Sequence, residues 1–329
     1  MKWALVGAST IADQWMVNAI RAAGDDIVAI VSGDLTRAQS FATKHAIPHA
    51  LDNEAALDHL GIEAVYISNT NEKHEASVCR AAAAKQHVLC EKPLAVALDA
   101  ARRMATACDD AGVTMATNHH LRHNAAHRAM RAQVQGGALG QISSARLSHS
   151  VYLPKHIQGW RLTERGAGGG VVLDIAVHNA DSLAFIFGDY PSQVCAMTSN
   201  TGMATGLEDN AMSIWQFPSG MTAFTHQGFN TPFAQTHVQI HGDKGSLHGE
   251  GILTQAAGGT LSLSTAAGTD AVALDNDNLY ERVIKNLHLA IHDQAHANAD
   301  GWGGVRSLCV AHAILESAAT GRTVDVRYD

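Results

Sequence analysis

Two stretches of this 329-residue chain hold side chains suited to moving a proton or polarising a carbonyl. In "HVLCEKPLAVALDAA", Lys92 lies between Glu91 and Pro93, just after a short apolar run with strand character. The carboxyl edge of a parallel strand is where open α/β sheets bind ligands, and an ammonium aimed there stabilises negative charge on a carbonyl oxygen. The bland alternative is a solvated lysine, but one pinned at a strand end before proline has little freedom to be so, and X-Pro bonds also take the cis form far more readily than others. In "GGGVVLDIAVHNADSL", Asp174 and His178 are four residues apart on a predicted helix and project from one face near its start. A histidine of ordinary pKa, about 6.5, exchanges protons at neutrality. An isolated D-x-x-x-H pair is more often structural than catalytic, and no H-E-x-x-H or acid cluster completes it, so no metal site is expected. A third stretch, "VYLPKHIQGWRL", sets an aromatic ring beside cations in a loop, as a pocket for a polar substrate or a nicotinamide requires.

A reaction at such a sheet edge calls for a cofactor site, and "ALVGASTIADQ" reads as strand, tight turn and helix start. The G-x-G-x-x-G fingerprint matches only at Gly7; Ser9 and Ala12 stand where the second and third glycines belong. Gly7 supplies the turn, Ser9 is small and its hydroxyl is a further donor for a phosphate, and Ala12 keeps the helix–strand contact close. By itself the motif is weak against a plain buried turn. The next strand ends "VAIVSGDLTR", with Ser32 in place of the acid that binds the ribose of NAD and Arg37 one helical turn further on. That favours NADP(H), the guanidinium meeting the 2′-phosphate. In the competing reading Asp34 binds the ribose hydroxyls and Arg37 is merely solvated.

The elements that must position these residues follow from periodicity. Residues 1–120 alternate short apolar strands (Trp3–Val6, Ile27–Val31, Ala64–Ser68, His87–Cys90, Thr114–Thr117) with helices (Ile11–Ala23, Leu35–His45, Asn53–His59, Lys73–Lys85, Ala97–Ala111). This predicts an α/β fold: a Rossmann-type, doubly wound parallel sheet. Residues 121–329 predict an α+β substrate domain: a helix Ala125–Gln135, a strand Ile142–Val151, a helix Leu173–Phe187, and a large, mostly antiparallel open sheet over 193–274. A final helical stretch from Leu279 to Ala319, with a break at Gly301–Gly304, is expected to pack back on the body.

Composition narrows the function classes. A net charge of -8 with dispersed Lys and Arg gives no footprint for nucleic acid or an anionic membrane. Five scattered cysteines without a C-x-x-C fit a reducing, cytoplasmic setting. The apolar run near the N-terminus is interrupted too early for a signal peptide, and no apolar stretch is expected to approach the ~20 residues of a membrane span. A free face on the second domain's sheet is the expected place for self-association.

"CEKPLA" after a Rossmann-type strand, "NHHLR" at the domain junction and "GGGVVLDIAVHNADSL" beyond it resemble the glucose-fructose oxidoreductase / inositol dehydrogenase / MocA (Gfo/Idh/MocA) family over essentially the whole chain. The resemblance implies NADPH-dependent reduction of a sugar ketone, with Lys92, Asp174 and His178 as the catalytic set. It further implies that, after the turn at Gly7, Ala8, Ser9, Thr10 and Ile11 meet the pyrophosphate, and Ser32, Gly33 and Arg37 the 2′-phosphate. Asn69, Thr70, Asn71, Glu72 and His74 would line the cofactor's centre. Glu91, Lys92 and Asn118 would lie near the nicotinamide and its ribose, with Trp160, Arg161 and Tyr280 closing the site from the second domain. Gly33 departs from the pattern by lacking a hydroxyl to help grip the phosphate. The rival readings are an NAD(P)-dependent dehydrogenase of another polyol or sugar, such as inositol, and a non-catalytic NADP-binding sensor; a metal-dependent hydrolase ranks below both.

Overall fold

The computed structural model describes residues 1–293 and 297–329. The chain divides into two compact units, Met1–His119 with Tyr280–Val305, and His120–Leu279 with Arg306–Asp329.

The first unit is built on six parallel strands: β1 (Lys2–Val6), β2 (Asp26–Val31), β3 (His49–Leu51), β4 (Ala64–Ile67), β5 (His87–Cys90) and β6 (Met115–Thr117). Their order, β3-β2-β1-β4-β5-β6, is that of a doubly wound sheet. β1, β4 and β5 are apolar over almost their whole length because both faces are covered. Strand β3 escapes sequence reading, since three residues without a β-branched side chain give no periodicity. Helices α1 (Val17–Ala22), α2 (Leu35–His45), α3 (His74–Ala83) and α4 (Leu98–Ala111) connect the strands. The register aligns Val6 with Val31 and Ile67, Ile67 with Cys90, and Cys90 with Thr117. The residues just beyond that row, Gly7, Ser32, Ser68, Glu91 and Asn118, therefore share one carboxyl edge.

The second unit carries nine strands in the order β14-β13-β12-β11-β7-β10-β9-β8-β15. In chain order they are β7 (Ile142–Ser150), β8 (Gln193–Ser199), β9 (Asn210–Gln216), β10 (Thr222–Gly228), β11 (His237–Gly242), β12 (Gly245–Glu250), β13 (Thr260–Thr265), β14 (Gly268–Ala271) and β15 (Val324–Asp325). All pairings are antiparallel except β7 with β10. Alternation is clean on β9 and β10: Ala211, Ser213 and Trp215 are buried, as are Ala223, Thr225 and Gln227, while Met212, Ile214 and Phe224 face outward. Helices α5 (Ala125–Gln135) and α6 (Val177–Phe187) belong to this unit, and every residue of α6 from Val177 to Ile186 is buried.

Two expectations need correction. The stretch Arg165–Phe187 is long and apolar enough by length and composition to cross a membrane, an 18-residue window of it having a mean hydropathy of 1.4, but 94% of that window is buried inside the protein, as in a core helix. And Gly301–Gly304 does not break a helix: after α7 (Leu279–His292), helix α8 (Gly301–Thr320) begins there. Its glycines serve packing, because a Cβ on Gly301 would lie 2.8 Å from Met115 Sδ and one on Gly304 would meet the side chains of Thr117 and Leu94.

Candidate functional site

In the first unit the turn after β1 explains why its first glycine stays. Gly7 has φ +110°, and a Cβ there would lie 2.6 Å from the backbone nitrogen of Asn69, so strain and collision both exclude a side chain. Ser9 departs from expectation. Its hydroxyl donates to Ser68 Oγ (2.8 Å) and accepts from Ala12 N (3.1 Å), capping the helix start instead of standing free for a phosphate. The following N–H groups of Thr10 and Ile11 are first-turn donors without an intrahelical acceptor, the arrangement that binds anions. The helix then passes through a π-helical stretch, Ala12–Met16, before continuing as α1.

Beyond β2, Ser32 is half-buried and Gly33 exposed, with open space around the position of a Cβ. Asp34 caps α2, Oδ1 accepting from Thr36 N (2.9 Å) and Arg37 N (3.2 Å). Arg37 reaches back to the turn: Nε and Nη2 donate to the Ala8 carbonyl at 3.1 and 2.6 Å. The acid of the competing reading is thus turned into its own helix, while the guanidinium stands at the mouth of the Gly7–Ile11 turn.

After β4, Asn69 donates to Ser77 Oγ (3.0 Å), and the Thr70 hydroxyl donates to Glu72. Asn71 is buried and Glu72 exposed. His74, expected along the cofactor, is wholly enclosed, its Nδ1 at 3.2 and 3.1 Å from the carbonyls of Pro93 and Leu94 and its Nε2 at 3.2 Å from that of Asn69. Burial holds its pKa below the ordinary value. His74 therefore ties the loop after β4 to the one after β5 instead of facing a ligand.

Lys92 is half-buried at the end of β5, and its bond to Pro93 is cis. Beside it, Glu91 Oε1 accepts from Tyr66 Oη (2.6 Å) and from Asn118 Nδ2 (2.5 Å). Burial raises the Glu91 pKa, against those hydrogen bonds and the Lys92 charge, which lower it. Asn118 is fully buried and acts on Glu91. Tyr280 needs a larger correction. It belongs to the first unit, is fully enclosed, and stacks on Trp15 with ring centroids 5.4 Å apart, so it is a core residue rather than a closure from the second domain.

In the second unit Asp174 and His178 straddle the junction of a π-helical stretch, Val172–Ala176, with α6. Sequence spacing cannot distinguish a π turn from an α turn, yet such turns recur at functional sites. The entrance is fixed from outside. Val171 N donates to the Glu208 carbonyl (3.1 Å) and Val172 N approaches Glu208 Oε1 (3.4 Å), while Gly170, at φ +106°, leaves no room for a Cβ beside that carboxylate. Asp174 and His178 are 9% and 7% exposed, enclosed but reachable. Arg161 Nε lies 3.5 Å from Asp174 Oδ1, and its guanidinium sits over the Trp160 ring, 4.5 Å from the centroid. The "VYLPKHIQGWRL" loop is thereby joined to the acid of the D-x-x-x-H pair.

Sequence reasoning assigned nothing to the imidazoles around His178. His120 meets it edge-on at 5.1 Å between centroids and His149 lies at 6.2 Å. The histidine-rich "NHHLRHN" was the available signal for His120; nothing in the local sequence marks His149. No group of three or more His, Cys, Asp or Glu residues suited to a metal ion occurs among the described residues.

Residues 1–119 match the oxidoreductase family with an NAD-binding Rossmann fold, and residues 127–248 the GFO/IDH/MocA C-terminal domain. The chain is 43% identical to 1,5-anhydro-D-fructose reductase of Ensifer adhaerens, over 99% of this chain and 98% of that one. It is 29% identical to a D-xylose 1-dehydrogenase (NADP(+)) of Haloferax volcanii, over 99% and 100%. Among solved structures, aldose-aldose oxidoreductase from Caulobacter crescentus superposes with a TM-score of 0.91 at 23% identity, covering 99% of each chain, which shows a shared fold.

Proposed function

The chain belongs to the GFO/IDH/MocA oxidoreductase family, and on that premise we propose that it is an NADPH-dependent reductase of a sugar ketone, converting 1,5-anhydro-D-fructose to 1,5-anhydro-D-mannitol. The first unit fits a dinucleotide. A glycine that no other residue replaces opens the turn, first-turn N–H groups follow it, and the Arg37 guanidinium beside the Ala8 carbonyl supports a contact to a 2′-phosphate. Bound NADPH supplies the hydride.

The side chains do the rest. Lys92 directs its ammonium at the ketone oxygen, where negative charge grows as the hydride arrives. Glu91, anchored by Tyr66 and Asn118, fixes the backbone that presents Lys92. His178 gives a proton to the C2 oxygen and is left as the neutral imidazole. Asp174, held by Arg161, accepts a hydrogen bond from a substrate hydroxyl and keeps the helix entrance polar. The observation that carries this reading is the Asp174–His178 pair on a π-helical entrance, an acid–base pair that packing alone does not call for.

The test is direct. Lys92→Ala and His178→Ala are each expected to lower kcat by about 10²-fold or more while the protein stays folded. Turnover near that of the wild type in either variant would overturn the assignment.

A further inference from the structure

The loop joining β8 to β9, residues 200–209, is braced at its last two positions in opposite directions. Asp209 is fully enclosed, and its carboxylate accepts from Thr201 N (2.8 Å), Thr201 Oγ1 (3.0 Å), Met203 N (2.9 Å) and Ala204 N (3.2 Å). Its carbonyl accepts from Phe229 N (2.9 Å), just beyond β10. The loop is thereby closed on itself and tied to the sheet. Glu208, 9% exposed, turns the other way: Oε1 meets Val172 N (3.4 Å), its carbonyl accepts from Val171 N (3.1 Å), and a Cβ on Gly170 would collide with its carboxylate.

Two parts of the site depend on that contact. Val172 opens the π-helical stretch that carries Asp174, and Asp174 N in turn bonds the Gly170 carbonyl (3.3 Å). Gly170 N donates to the Arg161 carbonyl (2.9 Å), and Thr205 N of the same loop donates to the Leu162 carbonyl (2.7 Å). Asp174 and the Arg161 that faces it are therefore both held to one bracket, and Glu208 is its hook on the helix. Burial raises the Glu208 pKa, against the backbone hydrogen bonds and the Arg165 charge that lower it. What the helix entrance takes from Glu208 is an acceptor oxygen at that reach, which a neutral amide of the same length also carries.

We propose that Glu208 is a positioning residue: through Val172 N and the backbone of Gly170 it sets where Asp174 and Arg161 stand relative to each other, by the reach of its side chain rather than by its charge. For its effect on turnover the inference rests on the reading of the chain as a sugar-ketone reductase. An Asp174 that accepts a substrate hydroxyl must hold its place while the hydride moves, and a displacement of about 1 Å in such a group costs up to about 10²-fold in rate.

Three variants test it. Glu208→Ala removes the acceptor, Glu208→Asp keeps the charge but falls one methylene short, and Glu208→Gln keeps the reach without the charge. Amide hydrogen exchange of the protein without substrate is expected to quicken about tenfold at Val172 in the Ala and Asp variants and to stay near that of the wild type in Glu208→Gln. In steady-state kinetics the Ala and Asp variants are expected to lower kcat per folded protein about tenfold or more with KM for NADPH unchanged, and Glu208→Gln to keep most of it. A residue that serves stability alone would lower the urea midpoint and leave kcat where it was. Wild-type exchange or wild-type kcat in Glu208→Asp overturns the proposal, and this variant decides the matter if Glu208→Ala does not fold. A Glu208→Gln variant as impaired as Glu208→Ala overturns it too. If the wild-type protein turns over no sugar while the exchange pattern holds, the reductase reading fails and the positioning of the helix entrance by Glu208 stands.

Discussion

Replacing Arg37 with alanine separates the support of the turn, which the geometry shows, from the grip on a 2′-phosphate, which the proposed cofactor would add. The guanidinium donates to the Ala8 carbonyl through Nε at 3.1 Å and Nη2 at 2.6 Å, so its loss loosens the Gly7–Ile11 turn for any dinucleotide. At an exposed residue such a contact contributes about 1 kcal/mol, or about fivefold. If the same group also grips a 2′-phosphate, the charge-assisted contact adds about 2 kcal/mol, about 30-fold, and only NADPH feels it. The expected outcome is a fall in kcat/KM of about 150-fold with NADPH and about fivefold with NADH, so the preference contracts about 30-fold. Initial rates followed by cofactor absorbance, at low and at physiological ionic strength, supply both numbers, and the NADPH-specific part should shrink as salt screens it. An equal fall with both cofactors would refute the reasoning, leaving Arg37 as a support for the turn alone.

Two further predictions concern the second unit's interior. His127 on α5 is completely enclosed, with neither ring nitrogen hydrogen-bonded among the described residues, and burial pushes its pKa down to about 4. Below about 6.5 the unfolded chain takes up a proton that folded His127 refuses, so its contribution to stability is complete above that pH, declines as pH falls and levels off once the folded group also titrates. The span is worth about 3 kcal/mol, and His127→Leu should flatten it in denaturant titrations run across that range; an unchanged slope would contradict this. Arg122 pairs with buried Asp181 through Nε at 2.7 Å and Nη2 at 2.6 Å. Arg122→Ala should cost about 3–5 kcal/mol in urea unfolding by taking a cation away from the buried carboxylate, and a second change, Asp181→Leu, should restore most of it. An undiminished midpoint in the single variant would show that the pair carries no such weight.

The sequence was legible where one interaction governs. β1, β4 and β5 announced themselves because a strand covered on both faces must be apolar, and the sheet's carboxyl edge then followed for Gly7, Ser32 and Glu91. What it hid depends on neighbours distant in the chain. β3 is too short to show a period, and β15 forms only because β8 offers it an edge. His74 and Tyr280 have the chemistry of ligand contacts and were expected as such; their enclosure by Pro93 and Leu94, and by Trp15, is a tertiary fact. Ser9 kept its place as a small residue, but its hydroxyl was claimed by Ser68, 59 positions away. The alignment of Asp174 with His178 came from a four-residue spacing, whereas the π turn beneath it is set by Glu208 and Gly170.

The central claim is tested most directly by incubating the purified protein with 1,5-anhydro-D-fructose and either NADPH or NADH, following cofactor oxidation and identifying the product. The account predicts turnover to 1,5-anhydro-D-mannitol with NADPH, preferred over NADH by about 30-fold. Failure to reduce this or any other sugar ketone with either cofactor would contradict it.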